Sequence, residues 1–398
     1  MAKKSDKITP DTDEKAARRA KNAENRARRE ANAAAREARK RKPEKPRPEK
    51  PTPVPATAPP DTPPAPLGAV SQRFNILLVV QSGRLEYEAA LFVESLRRNA
   101  PDWQGRLILA EPRAEAAWAG HQTAISAPAR TVLEARGADI RPFSARHFGA
   151  SYPYGNKIEA LSVLPEDEPF IFFDSDTLIT GPIDRIAFDF SRPSASMRRE
   201  GSWPKPPLYG PDYSDIWRAL YDRFGLDFAS SQDETQPHEH WERFLYFNAG
   251  WFFGPDPAEF GRRFLDWSRA VLAEPGDVLA AQELDPWLDQ VVLPLVIHSL
   301  GGGRPGPALA GLDGALSCHW RKLPLLYARE SDLVVDALET AAEPLDIKAL
   351  LSGWEPAQRL IYQRHGRNAL RPAIDRANLP RFEQPLRQQI RRLGWWLV

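Results

Sequence analysis

Between residues 74 and 173 the chain alternates short apolar runs with helix-like segments, and that alternation restricts its fold more than any other feature. "FNILLVV" (74–80), "RLILAEP" (106–112), "ADIRPF" (138–143) and "FIFF" (170–173) read as strands. The first and last are apolar on successive positions, as strands buried on both faces are. Between them lie an amphipathic segment, "EYEAALFVESLRRNAP" (86–101), stopped by Pro101, a helical stretch near 129–136, and "NKIEALSVL" (156–164). Strand and helix in turn, at this spacing, predict a mostly parallel sheet covered by helices. In such sheets ligands sit beyond the carboxyl ends of the strands.

The rest of the 398 residues divides by composition. In residues 1–50, 18 Lys and Arg stand against nine Asp and Glu, giving +9; the formal total of +1 leaves −8 for the remainder. Residues 43–66 hold 11 prolines and suit an extended polyproline linker. Residues 1–69 are therefore expected to be a disordered, basic, Ala/Arg-rich arm with a Pro-rich linker. No aromatic residue interleaves its charges, so nucleic acid is not an expected partner. Cys318, the single cysteine, excludes an internal disulfide and fits a reducing compartment. The N-terminus "MAKKSDKITP" lacks the apolar core of a signal peptide. No run approaches the roughly 18 apolar residues of a spanning helix. These features predict a cytoplasmic protein, soluble or peripheral to the inner face of a membrane.

After residue 173 the pattern loosens. Residues 199–242, rich in Trp, Tyr, Pro and charge, read as a long functional loop with a helix near 214–224. "LYFNAGWFFGP" (245–255) predicts a strand, followed by a helix at 257–272. A helix is expected to begin at "DPWLDQ", with Asp285 as N-cap and Pro286 at the first helical position. "ALSCHWRKLP" gives a last strand, and a helical C-terminal extension (346–398) follows. In the final segment Leu386, Ile390, Leu393 and Leu397 share a helical face flanked by Arg387, Arg391 and Arg392, with Trp395 and Trp396 at the end. That pattern suits a helix lying on an anionic membrane, or one packed on the core.

The chemistry concentrates at "FFDSDTLI". An apolar strand delivers Asp174 and Asp176 two residues apart, on one side of the chain if it stays extended. Two such like charges repel, and persist more easily with positive charge between them. Competing signatures are missing: the sequence has no Gly-x-x-x-x-Gly-Lys phosphate loop and no Gly-x-Ser-x-Gly elbow. "HEHWE" lacks the spacing of a zinc-peptidase helix and reads as surface histidines.

Several landmarks occur in a set order: a first strand, a Lys on the helix before the acidic motif ("YGNKIEAL"), the Asp-x-Asp ("FFDSDTLI"), an Asn-Ala-Gly strand ("YFNAGWFF") and an Asp-Gln at a helix start ("LDQ"). Over residues 74–320 this order resembles the GT-A glycosyltransferases, in particular the glycogenin and lipopolysaccharide galactosyltransferase-like group. The resemblance implies an α/β, Rossmann-like three-layer fold over 70–345. It also implies a metal-dependent transferase that moves a sugar from a nucleotide-diphosphate sugar, a UDP-sugar, to a glycan, lipid-linked or protein acceptor. It places Asp176 on Mn²⁺ or Mg²⁺, and Asp174 on the metal or the ribose. Hard oxygen ligands suit these ions, and a metal would stabilise the charge gathering on a diphosphate leaving group. By the same resemblance Lys157, with Asn156 beside it, faces the nucleotide or its phosphates. Asn248, Ala249 and Gly250 line the sugar pocket, and Asp289 and Gln290 face the donor sugar or the reacting centre. The group's late His-x-x-Gly-x-x-Lys-Pro segment is missing. His319 in "SCHWRKLP" is the preferred third ligand and His298 in "HSLGGGRP" the second choice. Trp203, Trp217, Trp251 and Trp320 are candidates either for stacking faces to a sugar or for the core. The alternatives are a GT-A-like protein that binds a nucleotide sugar or a partner without turnover, and a nucleotidyltransferase. The latter usually has a Gly-rich first loop, which "VVQSGRLEYE" does not supply.

Overall fold

The computed structural model describes Gly68, residues 72–199, Gly201 and residues 203–397; the expected arm and linker over 1–69 lie, apart from Gly68, outside the described residues. Six strands form the main sheet in the order β3-β2-β1-β4-β7-β6. They are β1 (Asn75–Val79), β2 (Leu107–Pro112), β3 (Ala138–Phe143), β4 (Phe170–Phe173), β6 (Ser194–Ser196) and β7 (Asn248–Gly254). β1 is parallel to both β2 and β4, and β2 is parallel to β3. The last two pairings are antiparallel, β4 with β7 and β7 with β6. A separate two-stranded ladder joins β5 (Thr177–Ile179) to β8 (Ser317–His319).

Both faces of the sheet are covered, which is why β1 reads as an unbroken apolar run. Ile76 and Leu78 point into one buried cluster together with Leu109, Ile171 and Phe173. Leu77 and Val79 point into a second, with Ile108, Phe170 and Phe172. Each such side chain removed from water contributes about 1.5–3 kcal/mol, so the alternation fixes the register on both sides at once. The first cluster receives α1 (Arg84–Asn99), which opens after Gly83 and stops before Pro101. It also receives α2 (Ala127–Glu134), capped by Ser126 Oγ on the Ala129 N–H with Pro128 in the first turn. The second cluster is closed by α4 (Tyr213–Arg223), α5 (Pro257–Ala273) and α6 (Leu288–Ser299). α4 begins with a reciprocal Asp212–Asp215 capping box, and α5 with Asp256 on the Ala258 and Glu259 N–H groups. Between β3 and β4, α3 spans only Asn156–Glu159 and tightens into a 3-10 turn over Ala160–Val163.

Some elements depart from the sequence reading. The helix expected from Asp285 starts at Leu288: Asp285 and Pro286 form a turn in which the Trp287 N–H donates to Leu284 O. β5 and β6 were not expected. "TLI" follows the acidic motif directly, and "SAS" lacks an apolar run, so neither carries a strand signal of its own. Of the two readings of the C-terminal segment, packing on the core is the one seen. Leu386 and Ile390 of α10 (Glu383–Arg392) are buried in the same cluster as Ile76 and Phe92. They arrive there after α7 (Leu323–Arg329), α8 (Asp332–Ala341) and α9 (Leu345–Leu351). The apolar stripe of the last helix therefore meets the core, and Leu393, 40% exposed, lies beyond it. Among the described residues no helix is long and apolar enough to cross a membrane.

Candidate active site

β4 ends at Phe173, and the Asp174 N–H makes one more rung by donating to Gly250 O of β7 at 2.9 Å. The chain then bends through Ser175 into β5. There Thr177 lies opposite His319, and the Trp320 N–H donates to Asp176 O at 2.9 Å. The ladder thus brings β8 against the acidic motif. His319 Nε2 lies 3.1 Å from Asp176 Oδ1 and 3.7 Å from Asp174 Oδ2. One ligand atom from each of Asp174, Asp176 and His319 falls within 4.8 Å of the others. Two carboxylates and an imidazole so placed fit a divalent cation such as Mn²⁺ or Mg²⁺. Gly250 makes room for the imidazole, because a Cβ there would stand 2.1 Å from His319 Nδ1. The small residue clears space for a ligand side chain.

The two carboxylates do not face each other bare, as the sequence alone suggests. Lys157 Nζ lies 2.9 Å from Asp174 Oδ1 and 3.2 Å from Asp289 Oδ2, and also donates to Ala249 O at 3.2 Å. Burial works against its charge, but the two aspartates more than offset this and raise its pKa, so the ammonium stays protonated. Asp176 has His319 on one side and Arg84 Nη1 at 3.6 Å on the other. Burial alone would raise the Asp176 carboxyl; His319, Arg84 and Lys157 hold it well below the usual carboxylate range. For His319 burial disfavours the charged form, and Asp176 and Asp174 reverse that and raise its pKa. Asp289, in the first turn of α6, is buried, accepts from Tyr152 Oη at 2.9 Å, and returns its own N–H to that hydroxyl at 3.0 Å.

The other expected residues lie around this centre. Asn156 lines the adjoining cavity and accepts from Trp118 Nε1 at 2.9 Å. Asn248 Oδ1 accepts from the Gly250 N–H at 2.8 Å, and Gln290 Oε1 accepts from Tyr246 Oη at 2.9 Å. His298 is elsewhere: it sits in the last turn of α6 against Ser230 and Tyr221, about 13 Å of helix from Asp289. The four tryptophans are core residues, at most 3% exposed, and offer no face to a sugar. The cavity beside the acidic motif measures about 270 Å³ and is bordered by Val79, Gln81, Arg84, Tyr154, Asn156, Lys157, Asp174 and Asp176. A larger one of about 500 Å³ lies at the amino ends of β2 and β3 and borders none of the clustered carboxylates. The sequence reading missed Arg84, Glu88, Tyr152 and Ser175. Arg84 and Glu88 are spaced as an ordinary i,i+4 surface pair. Only their place directly after β1, at the carboxyl edge of the sheet, signals otherwise.

A mostly parallel α/β sheet carries the acidic motif and its cations at the carboxyl end of a central strand, where sheets of this class bind their ligands. The chain belongs to the Rhodobacterales glycosyltransferase domain family, whose model matches residues 76–301. The match takes in Lys157, the acidic motif, β7 and the Asp289–Gln290 pair, and ends before His319. No curated protein matches the chain. Similar solved structures include the galactosyltransferase LgtC in complex with donor and acceptor sugar analogues, 13% identical, covering 70% of this chain and 99% of that one at a TM-score of 0.43. The bifunctional glycosyltransferase WbbM in its apo form is 14% identical over 75% of this chain and 53% of that one, TM-score 0.39. The glycosyltransferase GlyE of Streptococcus pneumoniae is 12% identical over 73% and 65%, TM-score 0.37.

Proposed function

We propose that this glycosyltransferase takes its sugar from a nucleotide-diphosphate sugar, a UDP-sugar, with a divalent metal held by Asp174, Asp176 and His319. The observation that carries the reading is the convergence of those three ligand atoms within 4.8 Å beside the cavity that Lys157 and Asn156 border. Held by these residues, Mn²⁺ or Mg²⁺ would supply Lewis-acid stabilisation of a diphosphate leaving group. Lys157 fixes the positions of Asp174 and Asp289 relative to each other. Asp289, held by Tyr152 and Lys157, presents a carboxylate toward the sugar or the reacting centre. Asn248 and Gln290 offer amide groups to sugar hydroxyls, and Ala249 and Gly250 keep the backbone low beneath them. The acceptor is a glycan, a lipid-linked sugar or a protein. Peripheral contact with anionic membrane is assigned to the outer side of α10, where Arg387 and Arg391 stack on Trp396 and Leu393 is exposed.

The deciding experiment is a thermal-shift and calorimetric screen of nucleoside diphosphates with and without Mn²⁺, followed by UDP-sugar hydrolysis. A ligand that binds the native state alone raises its stability by RT ln(1 + [L]/Kd). A response to UDP only in the presence of metal is the expected result. A response to UDP that is independent of Mn²⁺ and Mg²⁺ would remove the metal from this account. Tight binding with no hydrolysis or transfer to any acceptor would leave the donor assignment and overturn the proposed turnover.

A further inference from the structure

The Arg84 guanidinium is a cation at the edge of the acidic cluster that none of the motifs accounts for. It opens α1, directly after Gly83, whose φ of +89° favours glycine. Its side chain is 35% exposed, against 8% for Lys157 on the same cluster. Nη1 forms an ion pair with fully buried Glu88 one turn along the helix, and lies 3.6 Å from Asp176 Oδ2. Glu88 also accepts from Ser175 Oγ at 2.9 Å. One buried carboxylate therefore ties Arg84 to the middle residue of the acidic motif, and fixes the guanidinium relative to Asp174 and Asp176. Burial and the Asp176 charge raise the Glu88 carboxyl, and Arg84, Ser175 and Lys322 oppose that rise.

The charges around the cavity indicate what Arg84 faces. Lys157 is enclosed by Asp174, Asp289 and Ala249 O, so its charge is matched within the protein. Arg84 has Glu88 on Nη1 and shares Asp176 with His319. When Asp174, Asp176 and His319 hold a divalent cation, Asp176 has little charge left for Arg84. The guanidinium, held through Nη1 by Glu88 and, at 3.4 Å, by Arg321 O, borders the cavity, and its remaining N–H donors suit an anion there. An anion entering with the cation is its matching partner, and the planar fork fits two phosphate oxygens. We propose that Arg84 binds the diphosphate of the nucleotide donor, and that in the metal-free protein the same guanidinium serves as a stand-in cation for Asp176. This rests on the reading of the cluster as a metal and nucleotide-diphosphate site.

The two halves of the proposal move two measurements in opposite directions. In Arg84→Met, Mn²⁺ alone, titrated by calorimetry, binds as tightly as to wild type or several-fold tighter, because a competing cation is gone. At saturating Mn²⁺ the same variant binds UDP roughly 10- to 100-fold more weakly, the scale of a hydrogen-bonded charge pair. UMP, with one phosphate fewer, loses less. Arg84→Lys recovers part of the UDP affinity, and covers the case in which Arg84→Met melts below the assay temperature. UDP affinity of Arg84→Met within twofold of wild type overturns the assignment. So does a parallel loss of Mn²⁺ and UDP affinity, which is the mark of a loosened acidic loop. Wild-type protein that takes no UDP with Mn²⁺ overturns the underlying site reading as well. Wild-type protein that binds it while the variant is unaffected overturns the role of Arg84 alone.

Discussion

Two charge clusters adjoin β8, one partly open at His319 and one buried near Cys318, and they are built in opposite ways. At its carboxyl end Asp174, Asp176 and His319 gather beside a cavity, with Asp174 26% and Asp176 13% exposed. Behind it Glu330 and Glu383, 7% and 4% exposed, are each gripped by more than one guanidinium. Glu330 takes Arg198 and Arg329; Glu383 takes Arg321, Arg329 and Arg387. In the second cluster two guanidinium groups meet at Glu330 Oε1, and both oxygens of Glu383 meet a guanidinium. Burial there is outweighed by the arginines, and the Glu330 carboxyl is held down at about 2. Buried charge alone does not mark a site. A site needs carboxylates that converge on shared space and a cavity that lets a ligand reach them.

The sharpest way to break this comparison is to neutralise one carboxylate in each cluster. Glu330→Gln leaves buried guanidinium groups short of a partner and is expected to lower stability by roughly 3–5 kcal/mol. Metal-dependent UDP binding, measured below the lowered melting temperature, stays as in wild type. The pH dependence follows from the sign of the shift. The folded pKa of Glu330, about 2, is below its ordinary 4.5, so its contribution is complete above about 4.5 and is lost as pH falls towards about 2. The stability gap between wild type and variant, from urea melts, should therefore narrow across that window. A gap that is constant with pH would deny Glu330 its ion pairs.

Asp176→Asn is expected to do the reverse. Outer-shell changes lower metal affinity by about 10- to 100-fold, so loss of a direct ligand should cost Mn²⁺ affinity at least about 100-fold, and UDP binding at a Mn²⁺ concentration that just saturates wild type falls with it. The metal-free melting temperature falls by only a few degrees, roughly, because His319 and Arg84 lose a partner at a partly open site. A larger fall with little change in binding would move Asp176 into the structural cluster. Gly250→Ala comes next: the added methyl displaces the His319 imidazole and weakens Mn²⁺ binding about 10-fold, with the backbone ladder intact by hydrogen exchange. Unchanged Mn²⁺ affinity would mean that His319 is not a ligand. The smallest effect belongs to the outer side of the C-terminal helix. Arg391→Gln removes a guanidinium 4.7 Å from the Trp396 ring and should cost about 0.5–1 kcal/mol. It should also reduce co-sedimentation with anionic liposomes, and unchanged sedimentation would take α10 out of any membrane contact.

The parts of this architecture legible in the sequence are those with periodicity or order along the chain. β1, β2, β4 and β7 announce themselves because both of their faces are buried, and α1, α4 and α5 because turn residues bound them. Lys157, Asp174, Asp176 and Asp289 stand in the order that the resemblance requires, and the structure gathers them at one place. What could not be read depends on long-range pairing. The resemblance already made His319 the preferred third ligand, but no local pattern says where it lies, since its position comes from three rungs between β5 and β8. Asp285–Pro286 looked like a helix start by residue type, and the preceding turn overrode it. The four tryptophans, attractive as stacking faces, were needed by the core. Arg84 and Glu88 went unread because their i,i+4 spacing does not report depth.

The β5–β8 ladder has a consequence for affinity. Asp176 and His319 are about 140 residues apart, and closing a loop of that size is costly in chain entropy. The register of Thr177 against His319 meets that cost during folding, so the three donors stand as a preassembled chelate before any ion arrives. Affinity is then tied to the integrity of a three-residue ribbon. A slip of one residue would offer Cys318 or Trp320 in place of the imidazole, and local opening of the ribbon would release the ion without unfolding the sheet.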